Sequence, residues 1–117
     1  MLTSIIIPVF NEEAFIKEIL FKIHKIKNVK KEIIIVNDCS TDKTLQILEE
    51  ECKDFYNKLI INPKNMGKGY SVREGIKHAN GEIILIQDAD LEYNPDNYPA
   101  LVKPIIDQEA EVVYGSR

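Results

Sequence analysis

Three short, uninterrupted runs of β-branched and apolar residues constrain this chain more than anything else in it: Ser4-Ile5-Ile6-Ile7-Pro8-Val9, Glu32-Ile33-Ile34-Ile35-Val36-Asn37 and Glu82-Ile83-Ile84-Leu85-Ile86-Gln87. A strand with one face in water alternates apolar and polar residues. A run with no alternation belongs to a strand covered on both faces, the usual condition of a parallel sheet. Parallel neighbours need a crossover connection, and the intervals supply one. Phe15, Ile16, Ile19, Leu20, Ile23 and Ile26 recur at helical spacing between the first two runs, with Asn11 or Asn11-Glu12 placed to begin the turn. Leu45, Leu48 and Cys52 mark a second helical face, Lys58 to Asn62 a third strand, and Val72, Ile76 and Ala79 another helix ending before Gly81. A last helix is expected after Pro95, ended or interrupted near Pro104, followed by a fifth strand at Glu111-Val112-Val113-Tyr114. The expected fold class is α/β, a mostly parallel Rossmann-like sheet with helices on both faces.

At 117 residues the chain suits one domain with one core, and no linker or repeat divides it. Its 44% hydrophobic and 29% charged content is ordinary for a globular domain, which argues against disorder. A formal net charge of -4 offers no basic face to displace counterions from nucleic acid, so no nucleic-acid partner is expected. Cys39 and Cys52 lack the spacing of a metal or redox pair and are expected as two reduced thiols. The run ending at Val9 is too short for the roughly 20 residues of a membrane span, and no basic stretch precedes it as in a signal peptide. A cytoplasmic location is therefore expected.

In an open parallel sheet, ligands bind beyond the carboxyl ends of the strands, where strand order reverses. The polar residues that follow each strand are thus the informative ones. Asp88 and Asp90 flank Ala89 after an apolar strand, which brings two carboxylates to one point. Their repulsion would be relieved by a hard divalent cation such as Mg²⁺ or Mn²⁺, with Glu92 as a third oxygen donor. Taken alone, Asp-x-Asp is a weak signal, and turn or cap residues ahead of Pro95 are the plainer reading. After the second strand, one of Ser40, Thr41 or Asp42 is expected to cap the next helix, while Asp38 could accept hydrogen bonds from a base or ribose. Asn65-Met66-Gly67-Lys68-Gly69 lacks the spacing of a Walker phosphate loop and of the dinucleotide fingerprint. Its glycines could be simple turn residues. Arg73 and Arg117 are the other cations available to a diphosphate, and His24 and His78 have no ligand spacing.

Taken together and in order, Ile7-Pro8-Val9-Phe10-Asn11-Glu12-Glu13, Ile35-Val36-Asn37-Asp38-Cys39-Ser40-Thr41-Asp42-Lys43-Thr44, Asn65 to Gly69, Asp88-Ala89-Asp90-Leu91-Glu92 and Val112-Val113-Tyr114-Gly115-Ser116-Arg117 resemble family 2 glycosyltransferases of the GT-A fold. Within that family the chain looks most like dolichyl-phosphate mannose or glucose synthases and their bacterial polyprenyl-phosphate relatives. The resemblance implies that residues 1–117 are the donor-binding part of a longer domain, ending after the fifth strand, with the acceptor part beyond the chain. It implies inverting transfer of a sugar from a GDP- or UDP-sugar to a polyprenyl phosphate or another glycan acceptor. By position, Pro8, Phe10, Glu12 and Asp38 would contact the nucleotide, Asp88 and Ala89 the ribose or diphosphate, and Lys68 the donor more loosely. Asp90, with Asp88 and Glu92, would hold Mg²⁺ or Mn²⁺, and Arg117 would lie near the phosphates, making Asp90 and Arg117 the implied catalytic pair. Asn37 stands where the family often has Asp, and Cys39 where Gly is common.

The missing acceptor part would supply any contact with the cytoplasmic membrane face, and an edge left open by its absence could drive homo-oligomer formation. Two other readings belong to different classes. An inactive nucleotide-binding or interaction module would bind without turnover. A nucleotidyltransferase would need a Gly-rich, Arg-containing loop near the first strand, where Pro8-Val9-Phe10-Asn11 stands instead.

Overall fold

The computed structural model describes residues 1–87 and the backbone of a strand at 111–114. In chain order the elements are β1 (Thr3–Val9), α1 (Ile16–His24), β2 (Lys31–Asn37), α2 (Thr44–Glu51), a single 3₁₀ turn (Lys53–Phe55), β3 (Lys58–Ile61), α3 (Lys68–Lys77), β4 (Ile83–Ile86) and β5 (Glu111–Tyr114). The strands form one sheet in the order β3-β2-β1-β4-β5, and every pairing is parallel. Each strand foreseen from the β-branched runs is present, with ends displaced by no more than one residue. The helix expected after Pro95 falls outside the described residues.

The uninterrupted apolar runs are explained by what covers them. Ile5, Ile7, Val9, Ile33, Ile35 and Leu85 point into one layer, packed by Ile16, Ile19, Leu20 and Ile23 of α1 and Leu48 of α2. Ile6, Ile34, Val36, Ile84 and Ile86 point into the other, covered by Val72, Ile76 and Ala79 from α3 and its C-terminal end. Successive strand residues face opposite ways, so a strand needs every residue apolar only if both sides are roofed. Chain direction decides which helix roofs which side. From β1 through β2 to β3 the sheet grows one way, whereas α3 carries the chain back past β2 and β1 to β4. Because parallel crossovers are right-handed, that reversal puts α3 on the opposite face. α3 lies close against the sheet at Gly75, where an added Cβ would stand 2.5 Å from Ile6 Cγ2.

The opposite, amino-terminal edge is closed by a buried polar knot. Ser4 Oγ donates to Glu32 Oε2 (2.6 Å), the Asn80 N–H donates to the same oxygen (2.6 Å), and the Gly81 N–H donates to Ser4 Oγ (2.8 Å). Burial alone would push the Glu32 carboxyl up, but the Ser4 and Asn80 hydrogen bonds and the Lys58 ammonium outweigh it and hold it below the usual range.

Of the residues expected to begin the turn into α1, Glu12 does so, its carbonyl accepting the Phe15 and Ile16 N–H groups, while the Asn11 side chain bonds Thr41 and Asp42. Two sequence expectations are corrected locally. Phe15, expected on the apolar face, precedes the helix and is exposed, while Ile26, beyond its end, is buried. The N-cap position of α2 is Lys43, which makes no side-chain cap bond, although Asp42 one residue earlier accepts the Thr44 N–H (2.9 Å). Both cysteines are free thiols. Among the described residues, no helix is long and apolar enough to cross a membrane.

Candidate functional site

The order β3-β2-β1-β4-β5 reverses between β1 and β4, the position where open α/β sheets bind ligands. Among the described residues, β1 pairs with β2 as far as Val9↔Asn37 and with β4 as far as Ile6↔Ile86, and the Gln87 N–H donates to Ile6 O (2.9 Å). Pro8 lies near the end of β1, past the last described β4 pair. Phe10 follows the strand with 42% of its surface exposed.

Two loops at this edge are locked together by side chains. Asn11 adopts a left-handed backbone (φ 54°), and its Oδ1 accepts the N–H groups of Thr41 (2.8 Å) and Asp42 (3.3 Å). In return the Asn11 N–H donates to Ser40 Oγ (3.0 Å), the Glu12 N–H to Thr44 Oγ1 (2.9 Å) and the Glu13 N–H to Asp42 Oδ2 (3.3 Å). Asn37 supports the arrangement from beneath, its Oδ1 accepting both Ser40 N–H (3.2 Å) and Ser40 Oγ–H (2.6 Å). An aspartate in this place would accept the same bonds, so the departure to Asn leaves the loop intact. Cys39 has φ 58°, the left-handed conformation that favours glycine and costs other residues roughly 1 kcal/mol.

Asp42 is the hub of the lock. Burial would raise its carboxyl pKa, but bonds from the Thr44 hydroxyl, the Thr44 N–H and the Glu13 N–H bring it below the ordinary value. The stability it contributes is therefore present above about pH 4 and lost as pH falls through its lower folded-state value. Urea denaturation of the wild type and Asp42→Asn should show a gap near pH 7 that narrows on acidification; a gap independent of pH contradicts this role.

Asp38 is buried at the end of β2, and its carboxylate organises the third loop. Oδ1 accepts Asn62 Nδ2–H (2.8 Å) and the Met66 N–H (2.7 Å), and Oδ2 accepts the Gly67 N–H (2.9 Å). Oδ2 thus keeps acceptor capacity beyond its one partner among the described residues. Gly67 has φ 93°, so the turn into α3 uses a conformation open mainly to glycine. Lys68 opens α3 and is exposed.

Of the residues singled out from sequence, the structure brings Pro8, Phe10, Glu12, Asp38 and Lys68 to one edge of the sheet. Asp88, Ala89, Asp90, Glu92 and Arg117 lie outside the described residues, and no metal-binding cluster of three His, Cys, Asp or Glu occurs among the described ones. Sequence reading missed Asn62 and Ser71, both buried under the Asp38 loop. Asn62 was legible by the same rule as the others, as the polar residue just past an apolar strand, but was absorbed into β3.

The model of glycosyl transferase family 2 matches residues 4–117. The chain belongs to this family. A dolichyl-phosphate beta-glucosyltransferase of Trichomonas vaginalis is 35% identical over 111 residues, covering 87% of this chain and 34% of its own. S. aureus TarS in complex with UDP-GlcNAc superposes with a TM-score of 0.68 at 29% identity, over 89% of this chain and 32% of that one. A Pyrobaculum calidifontis mannosyltransferase in complex with GDP-Man and Mn2+ gives a TM-score of 0.66 at 29% identity, over 75% of this chain and 27% of that one. The chain spans about a third of the length of the curated relatives it matches. The family 2 match and these superpositions agree with the α/β, GT-A expectation drawn from the sequence.

Proposed function

We propose that this chain forms the donor-binding part of a glycosyltransferase that moves a sugar from GDP- or UDP-sugar to a polyprenyl phosphate, with inversion. The observation that carries this reading is the gathering of Phe10, Glu12, Asp38 and Lys68 at the carboxyl edge of the sheet, beside the switch point between β1 and β4. Exposed Phe10 offers a face on which a nucleobase stacks, Pro8 and Glu12 flank it, and Asp38 Oδ2, with one partner among the described residues, can accept from a base or ribose. Asp88, Asp90 and Glu92 are an oxygen-only donor set, which fits Mg²⁺ or Mn²⁺. Such a cation, when bound, neutralises the diphosphate leaving group. Arg117 and Lys68 add positive charge for the same diphosphate.

The acceptor class is supported by the chemistry and by the name of the dolichyl-phosphate relative. A phosphate acceptor is ionised near neutral pH and attacks without surrendering a proton, so the site needs positioning more than a general base. Attack from the face opposite the departing diphosphate inverts the anomeric carbon.

Calorimetric titration with GDP, UDP and ADP, each with and without Mn²⁺, tests the donor assignment. GDP or UDP should bind in a Mn²⁺-dependent manner, ADP should not, and Asp90→Ala should weaken binding by about tenfold or more. Binding that ignores both metal and Asp90, or no binding at all, contradicts the reading.

A further inference from the structure

Two buried polar side chains lie under the donor loop in positions that an apolar core would fill more cheaply. Asn62, the first residue after β3, is 3% exposed, and Ser71, in α3, is fully buried. Polar groups are desolvated there at a cost unless every one is bonded. Here every hydrogen has an acceptor. Asn62 Nδ2 gives one to Asp38 Oδ1 (2.8 Å) and the other to Ser71 Oγ (3.0 Å), and the Ser71 hydroxyl gives its own to the Gly67 carbonyl (3.0 Å). Met66 and Gly67 close the circuit by donating their N–H groups to the two oxygens of Asp38.

The circuit has only one direction. Turning the Asn62 amide over would set its carbonyl oxygen against Asp38 Oδ1 and leave the Ser71 oxygen facing an acceptor, so the carboxylate dictates the amide's orientation. Both ends of the circuit finish on the Met66–Gly67 segment, which carries the left-handed φ of 93° and leads directly into Lys68. The network thus holds a backbone shape and the entry into α3 rather than a piece of apolar packing. A buried network in which every donor hydrogen is bonded favours one conformation of a loop, where unbonded donors leave several.

We infer that Asn62 and Ser71 are positioning residues for the donor. They hold the Asn65–Gly67 loop on Asp38 and so set the place of Lys68 beside the nucleoside diphosphate. This rests on the reading of the edge as a sugar-nucleotide site.

The test compares Ser71→Ala and Asn62→Ala with Glu32→Gln, which weakens the knot at the opposite edge. Two quantities are read at a temperature where each variant is folded: amide exchange at Met66 and Gly67 by NMR, and the Kd for GDP and UDP with Mn²⁺. The two loop variants should exchange faster at those amides and bind about tenfold more weakly, the value of one good hydrogen bond. Glu32→Gln should lower Tm and leave both quantities unchanged. Unchanged exchange in Ser71→Ala overturns the inference, as does faster exchange with unchanged Kd, or equal weakening by Glu32→Gln. Should Asn62→Ala not fold, Ser71→Ala, which removes a single hydroxyl, decides alone. If the wild type binds neither nucleotide, the donor reading fails and with it the positioning role, whereas normal wild-type binding with unaffected variants sinks the positioning role only.

Discussion

Asp38→Ala should lose about 3 kcal/mol of unfolding free energy, because three donors that converge on one carboxylate lose their acceptor together. These are the Met66 and Gly67 N–H groups and the buried Asn62 amide. Water can reach the two backbone groups, which are only partly buried, and so recovers some of their bonding. The Asn62 amide is shut away and recovers less. Asp38→Asn separates charge from shape: its amide keeps one oxygen but turns an NH₂ toward an N–H donor, so part of the loss should remain. Urea denaturation of all three proteins checks the order wild type, Asn, Ala. Equal stability of wild type and Asp38→Ala would mean that the loop is held by something other than this carboxylate.

Gly81→Ala should be comparably damaging for a different reason. Gly81 needs no unusual φ; what it needs is space. A Cβ there would stand 2.7 Å from Leu2 O, Ser4 N and Ser4 Oγ, two of which are backbone atoms of the central part of the sheet. A flexible side chain could swing aside, but the start of β1 cannot move without disturbing its pairing with both β2 and β4. Any shift would also pull Ser4 Oγ away from Glu32 and from the Gly81 N–H. Overpacking of this sort costs about 1–3 kcal/mol in a core, and the upper end is expected against backbone. A fall in Tm of roughly 10 °C follows for a domain of this size. A melt that matches the wild type would show that the β1 entry is softer than the geometry implies.

Which features were legible in the sequence follows from how local their causes are. The strands were readable because burial on both faces demands runs such as Ile5-Ile6-Ile7 and Ile33-Ile34-Ile35, and no other local arrangement explains so many adjacent β-branched residues. The α/β alternation and the edge to inspect came with them. The use of each polar residue at that edge was not readable, since it is decided by partners far away in the chain. Asn11 suits a helix start, yet its acceptor goes to Thr41 and Asp42 thirty residues later. Asp38 suits a ligand contact, and most of its bonding serves Asn62, Met66 and Gly67. Phe15 fits the helical spacing of Ile16, Ile19 and Ile23, but the turn from Glu12 leaves it one residue outside α1 and exposed. Ser71 gave no signal, because a serine inside a helix is ordinary until Gly67 and Asn62 are seen around it.

The central claim is that the nucleotide sits at the carboxyl edge of the sheet, at the switch point between β1 and β4. Hydrogen–deuterium exchange of the chain, with and without saturating GDP or UDP and Mn²⁺, tests it most directly. Slower exchange should appear in residues 8–12, 38–42 and 65–69, with no change at the opposite edge in residues 2–4, 30–32 and 80–82. Protection confined to that opposite edge, or spread evenly over the sheet, would contradict the claim.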